Sequence, residues 1–146
     1  MTTADFWWTL NQRAGRLEEL DPGECRRLLG AAGVGRLGYT GEAGPRIVPV
    51  NYAMLPDSIV FRTGQKSEIA RFALGRTVAF EVDQIDGFLR SGWSVLIVGR
   101  LSEMSPSAVQ MLDVGKMPQP WPEGIQTLVC EVSLSQVTGR RVHPGG

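Results

Sequence analysis

The links between the apolar runs of this chain constrain its fold more than any single motif does. Six runs read as strands: Val34 to Thr40, Arg46 to Leu55, Ser58 to Thr63, Thr77 to Asp83, Trp93 to Met104, and Thr127 to about Val137. They are rich in β-branched residues, and within Thr77–Asp83 the apolar Val78, Phe80 and Val82 recur at every second position. Most of the links are too short for the helical crossover that joins parallel strands. This argues against a doubly wound parallel sheet. An antiparallel sheet is expected, and closure into a small barrel would remove its exposed edges. The expected fold is mainly β, a six-stranded antiparallel barrel with short peripheral helices.

The helices announce themselves by their starts. Asp21-Pro22-Gly23-Glu24 supplies an N-cap, a proline suited to the first helical position, and a glutamate three residues after the cap. That helix runs through Cys25, Leu28 and Leu29 and stops near Gly30 to Gly33. Ser67 to Leu74 reads as a short amphipathic helix ended by Gly75, and Ser105-Pro106 opens another through Met111 and Leu112. Gln84 to Gly92 reads as a loop. Residues 1–20, with Phe6, Trp7, Trp8 and Leu10, read as a leader or as a helix docked on one domain spanning 21–146.

Composition narrows the function classes. The 146 residues suffice for one domain with a real core. A formal net charge of zero argues against a general nucleic-acid binder, and no apolar stretch has membrane length. Cys25 and Cys130 form no CxxC pair, and both are expected to be buried thiols in a reducing, cytoplasmic setting. One histidine, His143, sits near the C-terminus, where a frayed tail is expected, and this disfavours a Ser-His-Asp or Cys-His centre. Three His and Cys residues in all make a zinc site unpromising, and neither G-x-x-x-x-G-K-[ST] nor G-x-G-x-x-G occurs. Glu81 and Asp83 fall on one face of a strand without an evident acidic partner and read as solvated.

What is left is the stretch from Arg46 to Ser67, two β runs joined by Pro56-Asp57. Its second run empties into Arg62, Thr63, Lys66 and Ser67, two cations and two hydroxyls within six residues just before a helix. Such a set suits a phosphate-sized anion, although Ser67 would equally serve as the helix N-cap. Chemistry carried by a bound cofactor fits a chain with so few side-chain catalysts.

At this point the motifs resemble a family. R-I-V-P-V-N, V-F-R-T-G, A-F-E-V-D, G-W-S-V-L-I-V-G-R and V-T-G-R-R, in that order between Leu20 and Arg141, look like the pyridoxamine 5′-phosphate oxidase-like, FMN-binding split-barrel proteins. The resemblance implies a six-stranded split β-barrel, a homodimer, and a flavin at the dimer interface. It implies that Arg46, Val48, Pro49, Val50 and Asn51 lie along the flavin, largely through backbone groups. Arg62, Thr63, Lys66 and Ser67 would hold the phosphate, and Trp93 and Ser94 would reach the flavin from the other subunit. The implied activity is FMN-dependent hydride transfer to a small-molecule acceptor. A deazaflavin coenzyme in the same fold and a non-catalytic flavin-binding module are the alternatives. Relatives read Gly-Ser-Lys where this chain has Lys66-Ser67-Glu68, so a Glu68 facing the phosphate would repel it unless Lys66 compensates or pairs with it. The C-terminal Arg and His that read pyridoxamine phosphate are matched only by Arg140 and Arg141, so oxidation of that substrate is not expected.

Overall fold

A computed structural model describes residues 15–112, Met117 and residues 127–145. Trp7, Trp8 and Trp121 lie outside the described residues. The strands are β1 (Arg16–Glu19), β2 (Val34–Gly41), β3 (Gly44–Met54), β4 (Ser58–Gly64), β5 (Thr77–Asp86), β6 (Ser91–Glu103), β7 (Thr127–Ser133) and β8 (Gln136–His143). Helix α1 spans Pro22–Ala31, a five-residue π-helix spans Ile69–Ala73, and α2 spans Pro106–Gln110.

The sheet order is β1-β8-β6-β5-β2-β3-β4-β7, every described pairing is antiparallel, and β6 also pairs with β7. That last ladder closes six strands into the expected barrel, and β8 and β1 lie outside it. The alternation read in the sequence has a physical basis here. Leu37, Tyr39, Val78, Phe80, Val82, Val95 and Ile97 point inward and are buried.

Three expectations are corrected. The run from Thr127 to Val137 is two strands, because the chain breaks between Ser133 and Gln136. The cause is a close crossing at Gly99, where β6 leaves β8 and takes up β7. A Cβ there would come within 2.0 Å of the Ser133 carbonyl oxygen, so only glycine lets the two backbones pass. The Arg100 amide donates to the Ser133 hydroxyl (3.1 Å) at that point. The segment Gln84–Gly92 is mostly strand, with β5 and β6 paired out to Asp86 and Ser91. His143 is not a frayed tail. It ends β8 opposite Arg16, and its ring contacts Glu18.

Helix α1 forms as expected. The Asp21 carboxylate accepts from the Glu24 amide (2.8 Å), and Cys25, Leu28 and Leu29 are buried. The Tyr52 hydroxyl donates to the Leu29 carbonyl (2.6 Å), and Glu24 joins Arg141 of β8 (2.9 Å). Hydrogen bonds from Arg27 and Arg141 hold the Glu24 carboxyl down at about 2. Burial raises both thiols, that of Cys130 to about 12, so both are inert small hydrophobes at neutral pH. No helix among the described residues is long and apolar enough to cross a membrane.

Candidate functional site

The barrel opens where β3 and β4 stop pairing. Their ladder holds only Met54↔Ile59, Ala53↔Val60 and Tyr52↔Phe61, next to the connecting turn. Beyond it β3 continues to Gly44 paired with β2, and β4 continues to Gly64 paired with β7. Had the ladder run on, Asn51 would face Arg62 and Val50 would face Thr63. Instead the two inner edges are left without ladder partners among the described residues. Backbone polar groups along such edges are available to a ligand, and Pro49, which has no N–H, lies on one of them.

Strand alternation sorts the expected site residues around this split. Val48 and Val50 turn inward and pack against the core. Pro49 and Asn51 turn to the outer face. On β4, Phe61 lies in the core and Arg62 takes the opposite, outer face. The expected four-residue clamp therefore divides. Thr63 and Ser67 share a hydrogen bond (2.7 Å), and the Ser67 hydroxyl accepts from the Ala70 amide (3.1 Å), which makes Ser67 the buttress of the following turn. Lys66 is exposed.

Arg62 carries the strongest chemical signal. Its Nε is buried and has no hydrogen-bond partner among the described residues. A buried donor left unpaired costs roughly 1–3 kcal/mol, more when the group is charged, so such atoms are rare and call for an explanation. A bound anion accepting from Nε is a direct one.

Arg46 and Glu68 behave otherwise than the sequence suggested. The Tyr39 hydroxyl donates to the Glu68 carboxylate (2.9 Å), and Arg46 Nε lies 3.4 Å from the same oxygen. Arg46, whose side chain is 53% exposed, thus joins a cluster with Glu68 and Tyr39, and the partner of Glu68 is Arg46 rather than Lys66. The Glu68 charge is met by Tyr39 and Arg46. Nothing in the local sequence signals it, because Tyr39 and Arg46 come from two other strands. Burial and the Glu68 carboxylate raise the Tyr39 hydroxyl above its ordinary value. Glu68→Lys strands the Tyr39 hydroxyl and sets two cations together. Its melting temperature should fall by a few degrees, for a loss on the order of 1–2 kcal/mol. An unchanged or raised melting temperature would contradict the cluster.

Trp93 and Ser94 lie elsewhere. They sit on β6 opposite Gln84 and Asp83 of β5 and opposite Arg141 and Arg140 of β8, with β5 and β2 between them and β3. Glu81 and Asp83 are not simply solvated, since Arg36 bonds both, at 3.2 and 3.0 Å. Desolvation and the neighbouring Asp83 raise the Glu81 carboxyl. Among the described residues no group of three or more His, Cys, Asp or Glu could hold a metal ion.

Comparison with known proteins places this geometry. The chain is 31% identical over 136 residues to the uncharacterized protein Rv0080 of Mycobacterium tuberculosis, covering 90% of this chain and 89% of that one. Among solved structures it resembles an FAD binding protein from Mycobacterium smegmatis, at 25% identity and a TM-score of 0.67, covering 86% of this chain and 98% of that one. It shares the fold of an FAD-binding protein from Mesorhizobium loti, at 20% identity and a TM-score of 0.66, covering 88% and 98% of the two chains. The family model for pyridoxamine 5′-phosphate oxidase matches residues 21–141, which include every strand of the barrel. The chain belongs to the pyridoxamine 5′-phosphate oxidase family.

Proposed function

We propose that this protein binds a flavin non-covalently, FMN in the first instance, and that it serves as an oxidoreductase acting on a small acceptor. The observation that carries the reading is the buried Nε of Arg62 on the outer lip of the split, which has no hydrogen-bond partner among the described residues. The residues present fit a flavin. Arg62 supplies a cation for the phosphate, and the free edge of β3 from Val48 to Asn51 supplies backbone groups for a flat polar ring. Thr63 and Ser67 hold the turn that follows, and exposed Lys66 adds positive charge beside it. The FAD binding relative from M. smegmatis supports a flavin as the class of ligand. FMN and FAD share the ring and the phosphate nearest it, so one clamp would serve either.

When bound, a flavin supplies hydride acceptance and donation, and the protein's share is to bind, orient and exclude water. The side chains around the split offer little acid-base chemistry of their own. Glu68 is engaged by Tyr39 and Arg46, and both thiols are buried. A homodimer accounts for Trp93 and Ser94, which would meet the flavin of the second copy rather than their own. A cytoplasmic setting accords with two free thiols.

Two further readings have support. A deazaflavin coenzyme has a longer anionic tail, and exposed Lys66 and Arg71 could meet it. A binding module without turnover is favoured by the engaged state of Glu68. One experiment separates these readings: titrate the protein with FMN, then add NADH or NADPH with an electron acceptor. Binding of one FMN per chain with sustained nicotinamide oxidation is expected. Tight binding without turnover leaves the module reading. Failure to bind FMN, with uptake of deazaflavin, leaves the coenzyme reading.

A further inference from the structure

A second feature lies at the outer edge of the sheet, where β1 joins β8. Strand β1 is exposed along all four of its residues and pairs with β8 alone among the described residues. An edge strand that short, with little apolar burial behind it, opens readily on its own. The pairs Arg16↔His143 and Glu18↔Arg141 set these four side chains on one face of the joint. Leu17, Glu19, Arg140 and Val142 fall on the other.

The charges on the first face do not pair straight across. Arg141, directly opposite Glu18, is taken by Glu24 of α1 at 2.9 Å, and Glu24 also bonds Arg27. Glu18 turns instead to its diagonal neighbour, and its carboxylate meets Nε2 of His143. Among the described residues this contact is the one side-chain tie between β1 and β8. The hydrogen bond with His143 is the largest cause that holds the Glu18 carboxyl below its ordinary value. Arg16, opposite His143, attracts Glu18 as well and opposes a charged ring. The β6 residues opposite β8 here, Gly92 and Trp93, carry no charge, and Glu19 and Arg140 face each other on the far side. His143 is the only histidine in the chain, and histidine is the side chain whose charge ordinarily changes nearest neutral pH.

We propose that the β1–β8 joint is a proton-dependent latch, in which edge strand β1 is held to β8 most firmly while His143 carries a proton and Glu18 is ionised. The sign follows from the charges. An ionised Glu18 attracts a protonated ring and only hydrogen-bonds a neutral one, so the hold weakens as the pH rises and the ring loses its proton. It weakens again in acid once Glu18 is protonated. Opening of β1 bares the backbone edge of β8 from Arg140 to His143, a surface on which another strand can pair. The inference does not rest on the flavin reading.

The test is amide hydrogen exchange of the full chain at about pH 5.5 and about pH 8, either side of the ordinary imidazole range, with each rate divided by its intrinsic rate at that pH. Protection of the β1 amides should fall roughly two- to fivefold on going to the higher pH, the scale of an exposed ion pair. Protection of α1 should stay constant. In His143→Gln and in Glu18→Gln the β1 protection should be the same at both pH values, with an unchanged α1 showing that each variant is folded. Wild-type β1 protection that does not change with pH would overturn the proposal. So would a fall shared equally by α1, or a pH dependence that persists undiminished in both variants.

Discussion

Arg62→Ala is expected to weaken FMN binding by about ten- to a hundredfold while riboflavin, which lacks the phosphate, binds as before. A charge-assisted hydrogen bond to phosphate is worth roughly 1.5–3 kcal/mol, and that sets the range. The same substitution should leave the flavin-free protein as stable as the wild type or slightly more so. It removes a buried donor that has no partner among the described residues, whereas an ordinary arginine would lose contacts. Fluorescence titration with both flavins and a thermal melt without ligand check the two halves. Equal losses for FMN and riboflavin, with a lowered melting temperature, would mean that Arg62 supports the barrel and not a phosphate.

The largest expected effect on stability comes from Phe80. Its ring is fully buried and meets Tyr52 edge-on, with centroids 5.1 Å apart and planes at 78°. It also occupies the space above Gly35, where a Cβ would lie 2.3 Å from the ring. Tyr52 is the last β3 residue paired with β4, so Phe80 supports the point at which the barrel splits. Phe80→Ala should cost roughly 3–5 kcal/mol, a large share of the 5–15 kcal/mol typical of a domain. In urea unfolding the midpoint should drop sharply with little change in slope. A loss below about 1 kcal/mol would mean that the cavity collapses and that the ring is not the keystone described.

How far the sequence could be read depended on whether a feature is set locally. The stretch Thr77–Asp83 alternates because one face is buried, and α1 starts where Asp21 can cap it, so both are legible residue by residue. The break in the last strand is not. Leu128 to Val137 has no proline or glycine to interrupt it, and the interruption comes from Gly99 of β6 crossing at Ser133. Strand β1 was hidden for a related reason. Arg16–Glu19 is exposed throughout, has no apolar alternation, and joins the sheet only as an edge on β8. The segment Gln84–Gly92 carries turn residues, yet backbone pairing continues through most of it.

The site shows the same division. Arg62, Thr63, Lys66 and Ser67 stood out by residue type, but strand alternation places Arg62 and Thr63 on opposite faces of β4. The pairing of Glu68 with Tyr39 and Arg46 joins three separate elements and leaves no local trace. That the Arg62 Nε has no hydrogen-bond partner among the described residues is visible only once its surroundings are built.

The central claim is that the split between β3 and β4 is a flavin site anchored by Arg62. A crystal structure of the protein with FMN tests it most directly. The account predicts a phosphate oxygen about 2.7–3.1 Å from Arg62 Nε, with the ring lying along residues 48–51 of β3. A phosphate bound elsewhere, with Arg62 Nε paired to a protein group, would contradict it.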